Sequence, residues 1–390
     1  MLKSSVKISF LVYIISLFTI SDHEILYVYS NLCFLVFLIF SALNILNKKR
    51  IVVNSIILTY LFFCVYMVVS CLWAPVLSDA FTRSITTLQL MIMLFMIYNS
   101  FSQVECTEFL VRCLWIGGLI LCIFFLYKYS MGEIVESYTI KFRLGEKIAP
   151  LNAVGRNLGI FVVINFYYII VQKKMLYFFT CVLGILILST TQSRTSLLLC
   201  FAGGLVIVAI KVRESRLARF TVILMGVAIF CLIVKSDTVR AMFWRVYKMF
   251  IFLTDTSNMD VDYSAFIRLN LIRKGIAFIV NNPLLGYGVA SGYYLLEGDY
   301  FHNNYVQVWV EMGIVGMLCY YVPMIYIILK ALQRPKENGN ILAVVLLVMT
   351  LTGDFVNSTY YHKITYVMLG VAMCVVQKKG RKDIKGYESC

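Results

Sequence analysis

The chain predicts an all-α polytopic membrane protein of about twelve transmembrane helices with two longer outer loops, and three observations lead there. Hydrophobic residues fill 61% of its 390 positions and prolines number only five. The mean hydropathy is +0.84. Apolar residues fall in span-length runs separated by short basic connectors. Values of this kind lie outside the range of soluble domains.

Windows of roughly 17–25 apolar residues place spans at 6–20, 25–46, 51–73, 85–101, 109–127, 157–172, 175–190, 195–210, 220–234, 303–331, 341–353 and 364–377. The first of these follows Lys3 and Lys7 as a signal peptide would. It ends in Thr19-Ile20-Ser21-Asp22-His23-Glu24 without a small-x-small cleavage site, so it is expected to remain as a span. Lys48-Lys49-Arg50, Lys173-Lys174, the Lys211–Arg219 cluster, Arg334 with Lys336, and the Lys378–Lys382 tail all fall on one side when the spans alternate. Short basic loops stay in the cytoplasm, which puts both termini there. The net charge of +15 is mostly this topological signal and gives no reason to invoke nucleic acid. Cysteines such as Cys33, Cys64, Cys122, Cys181, Cys200, Cys231 and Cys374 are scattered through the spans and read as small packing residues.

Within this single integral domain, 1–390, the outer loops 128–156 and 235–302 are too long for simple connections. In the second, Val239–Lys248 reads as an amphipathic interfacial helix with Arg240, Trp244 and Lys248 at spacing four. A polar break from Asp255 to Asp262 follows. A second helix, Ala265–Ile279, is interrupted by Arg268 and Arg273 and is expected to lie against the membrane surface. Asn281-Asn282-Pro283 stops it. Gly286, Gly288 and Gly292 then allow repeated turns before His302.

The candidate chemistry gathers on this outer side. Arg143, Arg156, Arg194, Arg268 and Arg273 run against the topological preference of the other basic residues. A guanidinium offers a planar fork that binds phosphate in bidentate fashion and keeps its charge. Pairing with Glu146, Asp260, Asp262 or lipid headgroups is the plainer account of any one of them. Arg194 stands apart because the Ser189–Thr195 turn between two spans is very short and holds the side chain at the top of the bundle. His302 is the last loop residue before a span, and Asn303 and Asn304 are placed to cap that helix and orient the ring. Glu311 lies nine residues along the same span, more than about 10 Å deeper. Gly313 and Gly316 beside it favour tight packing that buries it. Asp354 at the outer end of the penultimate span is a second acid.

The order of these pieces resembles the bacterial O-antigen ligase/polymerase superfamily, membrane glycosyltransferases of the GT-C type. The similarity runs from about Arg143 to Gly316: Arg143-Leu144-Gly145 with Pro150-Leu151-Asn152, Gln192-Ser193-Arg194-Thr195, Arg268 before Asn282–Gly288, and His302-Asn303 followed by Glu311 to Gly316. The resemblance implies a metal-independent enzyme without cofactor at the outer face of the bacterial plasma (inner) membrane. Its donor and acceptor would be polyprenol-diphosphate-linked oligosaccharides, amid membrane lipids and alongside a chain-length regulator and a flippase. On that basis His302, Arg268 and Arg194 are the expected catalytic residues. Arg143, Arg156, Arg273, Asn303, Glu311 and Asp354 are expected to bind substrate. The ligases of the family are associated with His-x-His-Asn, whereas Tyr300 and Phe301 precede the single His302 here. That tilts the expectation toward an O-antigen or capsular polysaccharide polymerase, with an O-antigen ligase acting on lipid A core as the alternative.

A flippase for the same lipid-linked sugars would show two related halves and short loops, whereas this chain has a large outer loop in one half only. A scaffold role would leave the placement of Arg and His unexplained. With residues 235–302 wholly external, a cysteine introduced at Ser257 should label from the outer side. Protection of Ser257 together with labelling at Lys248 from the cytoplasmic side would overturn this topology.

Overall fold

The computed structural model describes residues 2–49, 51–102, 106–139, 142–211 and 263–376. The expected span 220–234, the helix Val239–Lys248 and the Lys378–Lys382 tail lie outside them. All described elements are helical: α1 Leu2–Thr19, α2 Tyr27–Lys48, α3 Ser55–Ser70, α4 Leu77–Phe101, α5 Thr107–Lys128, α6 Met131–Thr139, α7 Leu151–Phe166, α8 Tyr177–Thr191, α9 Arg194–Lys211, α10 Tyr263–Asn281, α11 Ser291–Leu295, α12 Asn304–Leu332, α13 Asn338–Asp354 and α14 Lys363–Val375. Eight of the described helices are long and apolar enough to cross a membrane, and α8, α13 and α14 are shorter apolar helices. The chain is a multi-pass membrane protein.

Two helices form the centre. Every residue of α14 from Ile364 to Val375 is buried, and α7 is buried along most of its length. α7 packs on α5, α8 and α9, and each neighbour presents a glycine to it. β-Carbons at Gly118, Gly184 and Gly203 would lie 2.4, 3.0 and 2.8 Å from Phe161 or Val163, the close approach that small residues permit between membrane helices. Large apolar side chains such as Ile8, Leu32, Phe62, Phe179 and Phe201 are exposed around the rim. In a membrane protein this is the lipid-facing surface.

The two ends of the bundle carry different connectors. Lys174 joins Glu108 at 2.9 Å at one end. At the other end Arg156 joins Asp22 at 3.2 Å and meets His362 Nδ1 at 3.2 Å. The second, loop-bearing end therefore collects the connectors expected on the outer side. Two boundaries differ from expectation. α4 begins at Leu77 rather than near 85, because Asp79 and Arg83 are accommodated by protein and loop instead of lipid. α7 begins at Leu151, directly after Pro150, so Arg156 belongs to a helix and not to the loop 128–156. That loop contains α6, and its later part is pinned where Tyr129 Oη accepts from the Gly145 and Lys147 amides at 2.8 and 2.9 Å.

The expected continuous helix through Glu311-Met312-Gly313 is also corrected. α12 is interrupted at Gly313, whose φ of 59° and ψ of −165° suit glycine alone. The turn 283–288 fills the break. Ile314 N donates to Pro283 O at 2.9 Å, Tyr287 N to Val310 O at 2.9 Å and Gly288 N to Glu311 O at 2.8 Å. Backbone groups freed inside a membrane span must find protein partners, and here one loop supplies all three. A β-carbon on Gly313 would lie 2.1 Å from the Leu284 carbonyl oxygen. Gly313→Ala should therefore destabilise the protein by at least about 1–3 kcal/mol. A lowered unfolding temperature in detergent would show this, and an unchanged one would refute the role given to the break.

Candidate functional site

The first half of α12 carries a buried polar cluster. Glu311 is 1% exposed, and its carboxylate accepts from the Gln307 amide, from Gly292 N at 3.3 Å and from Tyr360 Oη at 2.5 Å. Gln307 Oε1 in turn accepts from Phe301 N and Ser358 Oγ at 3.3 and 3.2 Å. A buried carboxylate needs this many donors because water no longer solvates it. Glu311 is thus held, and its neighbour in space is a cation from another helix.

That cation is Arg83 of α4, which the sequence reading missed. Its guanidinium carbon lies 3.6 Å from the centroid of the Tyr361 ring and 5.9 Å from that of Tyr360. Asp79, Thr82, Arg83 and Thr86 share one face of α4 and, with Tyr293, Tyr300, Tyr361 and Glu311, line a cleft of about 480 Å³. That volume is typical of a small-molecule site. An Arg four residues after an Asp at the mouth of an apolar run was the available signal. It was lost because both charges argued for starting the span later.

His302 forms the adjoining rim. It adopts φ 52°, so its side chain turns back over the loop, where the Tyr300 ring lies 3.8 Å away between centroids. Its Nε2 is 3.8 Å from Asp299 Oδ1, and the side chain is 19% exposed. Burial and the charge of Arg268, opposed in part by Asp299, push its pKa down to about 4. The imidazole is therefore neutral over the physiological range. The expected orientation of the ring by both flanking asparagines is corrected. Asn303 caps α12 by accepting from Val306 N at 3.0 Å. Asn304 faces inward, donating to Tyr321 Oη at 2.8 Å and to Asp354 Oδ2 at 3.2 Å. His302 Nδ1 is buried without a hydrogen-bond partner.

The remaining candidates occupy distinct places. Asp354 is fully buried and accepts from Tyr321 Oη at 2.9 Å and from Thr359 Oγ1, which makes it a structural anchor beneath the site. Arg143 Nε donates to Thr191 O at 3.1 Å, and Leu144 N to Thr190 O at 3.1 Å. The first loop is thereby tied to the turn that precedes Arg194. Arg194 opens α9 two residues after Gln192, which lies in the left-handed region, φ 49°, in the short connection expected. A β-carbon on Gly155 would strike Ser196 Oγ at 2.1 Å, so Arg156 is close by on α7. Arg194 and Arg268 reach this end on different helix pairs, α9 with α13 and α10 with α12. Arg273 is exposed on α10.

Between these groups runs the segment 355–362. Ser358 reaches Gln307, Thr359 reaches Asp354, Tyr360 reaches Glu311, Tyr361 lies under Arg83 and His362 meets Arg156. Burial and Arg156 lower the pKa of His362 as well, so it too is a neutral partner.

Comparison with known proteins bears on one stretch of this arrangement. Residues 179–321 match the family model described as O-antigen ligase. The matched stretch includes Arg194, Arg268, Arg273, His302, Asn303 and Glu311 but not Arg83, Arg143, Arg156 or Asp354. A protein of Rickettsia conorii named "Putative polysaccharide ligase" is 32% identical over 82 residues, covering 17% of this chain and 20% of that protein's length.

The His302 environment yields a titration that can be observed. In histidine-labelled protein, its NMR midpoint should fall near pH 4. Arg268→Gln should raise the midpoint by removing a positive neighbour, and Asp299→Asn should lower it. A midpoint near the ordinary histidine value of about 6.5, unmoved by Arg268→Gln, would remove Arg268 from the rim.

Proposed function

We propose that this chain, whose residues 179–321 match the family model described as O-antigen ligase, is a membrane glycosyltransferase of that superfamily. It would move an oligosaccharide from a polyprenol diphosphate to a saccharide hydroxyl at the loop-bearing end, facing the cell exterior or periplasm. The observation that carries this reading is the neutral His302 at the junction of loop and α12, near Arg268 and against the ring of Tyr300, which lines a saccharide-sized cleft.

The acceptor oxygen attacks the anomeric carbon. The bond from that carbon to the diphosphate oxygen breaks with its electron pair leaving on the diphosphate, and the hydroxyl proton passes to the His302 imidazole. Negative charge grows on the leaving group, where fixed guanidinium groups in a partly dry site are most effective. Arg268 and Arg194 take that role, and Arg143 and Arg156 lie on the same side as Arg194. An imidazole held near pKa 4 is a weak base while the site is empty. A bound diphosphate offsets the charge of Arg268 and raises the basicity of His302 toward the range that favours proton transfer at neutral pH.

The single His302 after Tyr300 and Phe301 favours a polymerase, which extends another lipid-linked repeat unit, with a chain-length regulator and a flippase as partners. The names of the matched family and of the Rickettsia protein favour a ligase that delivers the chain to lipid A core. Purified protein given only polyprenol-diphosphate oligosaccharide should build a ladder of longer chains. Transfer that appears only after lipid A core is added would make it a ligase. In either case His302→Ala should lower the rate by about 100- to 10,000-fold while donor still binds, and Arg→Lys at positions 194 and 268 should not restore the lost bidentate contacts. A full-rate His302→Ala enzyme would take the imidazole out of the reaction.

A further inference from the structure

The cleft in front of Arg83 differs in chemistry from the arginine-bearing rim. Apart from Arg83, its α4 edge is made of acceptors. Asp79 is exposed and is touched by Ser78 Oγ at 3.4 Å. Thr82 and Thr86 both donate their hydroxyl protons back along the helix, to Ser78 O and Thr82 O at 2.9 Å each. Their oxygen lone pairs are left for a ligand that brings its own protons. Opposite stand two tyrosine rings, Tyr293 at 60% exposure and Tyr300 at 39%.

Charge separates the possible occupants. With Asp79 and Glu311 each counted −1 and Arg83 +1, the formal charge around the cleft sums to −1. Arg83 is already stacked on Tyr361, and Glu311 sits behind it. A diphosphate offers only acceptor oxygens and negative charge, so it would meet an acceptor-lined, net acidic wall. A sugar offers hydroxyl protons to the carboxylate and threonines, hydroxyl oxygens to the guanidinium edge, and an apolar ring face to the tyrosines.

We propose that the cleft between the first turns of α4 and the 290–300 segment binds an uncharged pyranose of the acceptor saccharide, with Asp79 and Arg83 on its hydroxyls and Tyr293 against its ring. The proposal rests on the transferase reading above. It divides the site: phosphate on the arginines at one flank, sugar in the Arg83 cleft, and His302 on the shared rim at Tyr300.

The test uses two probes on the purified full chain: the repeat-unit oligosaccharide released without lipid or phosphate from the source organism's own surface polysaccharide, and inorganic pyrophosphate. Asp79 and Tyr293 are exposed, so Asp79→Asn and Tyr293→Ala should leave folding intact. Each should weaken oligosaccharide binding, read by saturation-transfer NMR, about tenfold or more, the loss expected for one charge-assisted hydrogen bond or ring contact. Pyrophosphate binding, read by phosphorus line broadening, should be unchanged in both. In the transfer assay the same variants should raise the acceptor KM while kcat changes little. Unaltered oligosaccharide binding and acceptor KM in both variants, with transfer intact, would overturn the sugar cleft and leave the transferase reading standing. Pyrophosphate that competes with the oligosaccharide and loses affinity in Arg83→Gln would make the cleft an anion site and overturn the proposal. A wild-type protein that neither binds the oligosaccharide nor transfers from lipid-linked donor would overturn both.

Discussion

The loop-bearing end depends on an exchange of backbone hydrogen bonds between the break at Gly313 and the turn 283–288. Within a bilayer an unmatched peptide group costs several kcal/mol, so a helix can open there only if another backbone closes the gap. Pro283, Tyr287 and Gly288 do so, and Trp309 Nε1 donates to the same Pro283 carbonyl at 3.1 Å. Tyr66 Oη and Ser70 Oγ of α3 hold this turn at Leu285 and Val289, at 3.2 and 3.1 Å. The exchange fixes the register between Glu311 and Gly292, which places the carboxylate behind the cleft.

Acids divide into those consumed by the structure and those left to a ligand. Glu311 and Asp354 are surrounded by donors and buried. Removing a partner from either would leave an uncompensated charge in a dry interior, which is strongly destabilising. Asp79 and Asp299 are open, one in the cleft and one at the rim. Ligand chemistry is therefore expected from the open acids, from His302 and from the arginines, while the buried acids set geometry.

The segment 355–362 makes this division possible. α14 has thirteen residues, about 20 Å at helical rise and shorter than a bilayer core, so its preceding loop descends into the end of the bundle. Irregular backbone at that depth is tolerated where protein surrounds it, and Ser358, Thr359 and Tyr360 are buried. Successive side chains then point to α12, α13, α4 and α7, joining elements distant in the chain.

Composition and basic-loop alternation were sufficient for the multi-pass all-helical class, because lipid imposes apolar runs of fixed length and a charge bias on their connectors. The short turn before Arg194, the cap at Asn303 and the burial of Glu311 were legible for the same local reason, since each depends on neighbours within a few residues. Arg83 was not, nor were Tyr360 and Tyr361. Their roles come from a helix and a loop that meet across some 280 positions of sequence, where neither periodicity nor spacing carries a signal. Gly313 shows the boundary between the two: its sequence announced only close packing, and the partner turn 283–288 decided that the helix would open. Local chemistry set which groups are available. Tertiary packing decided which are neutralised, because a charge is satisfied by whatever lies beside it in space.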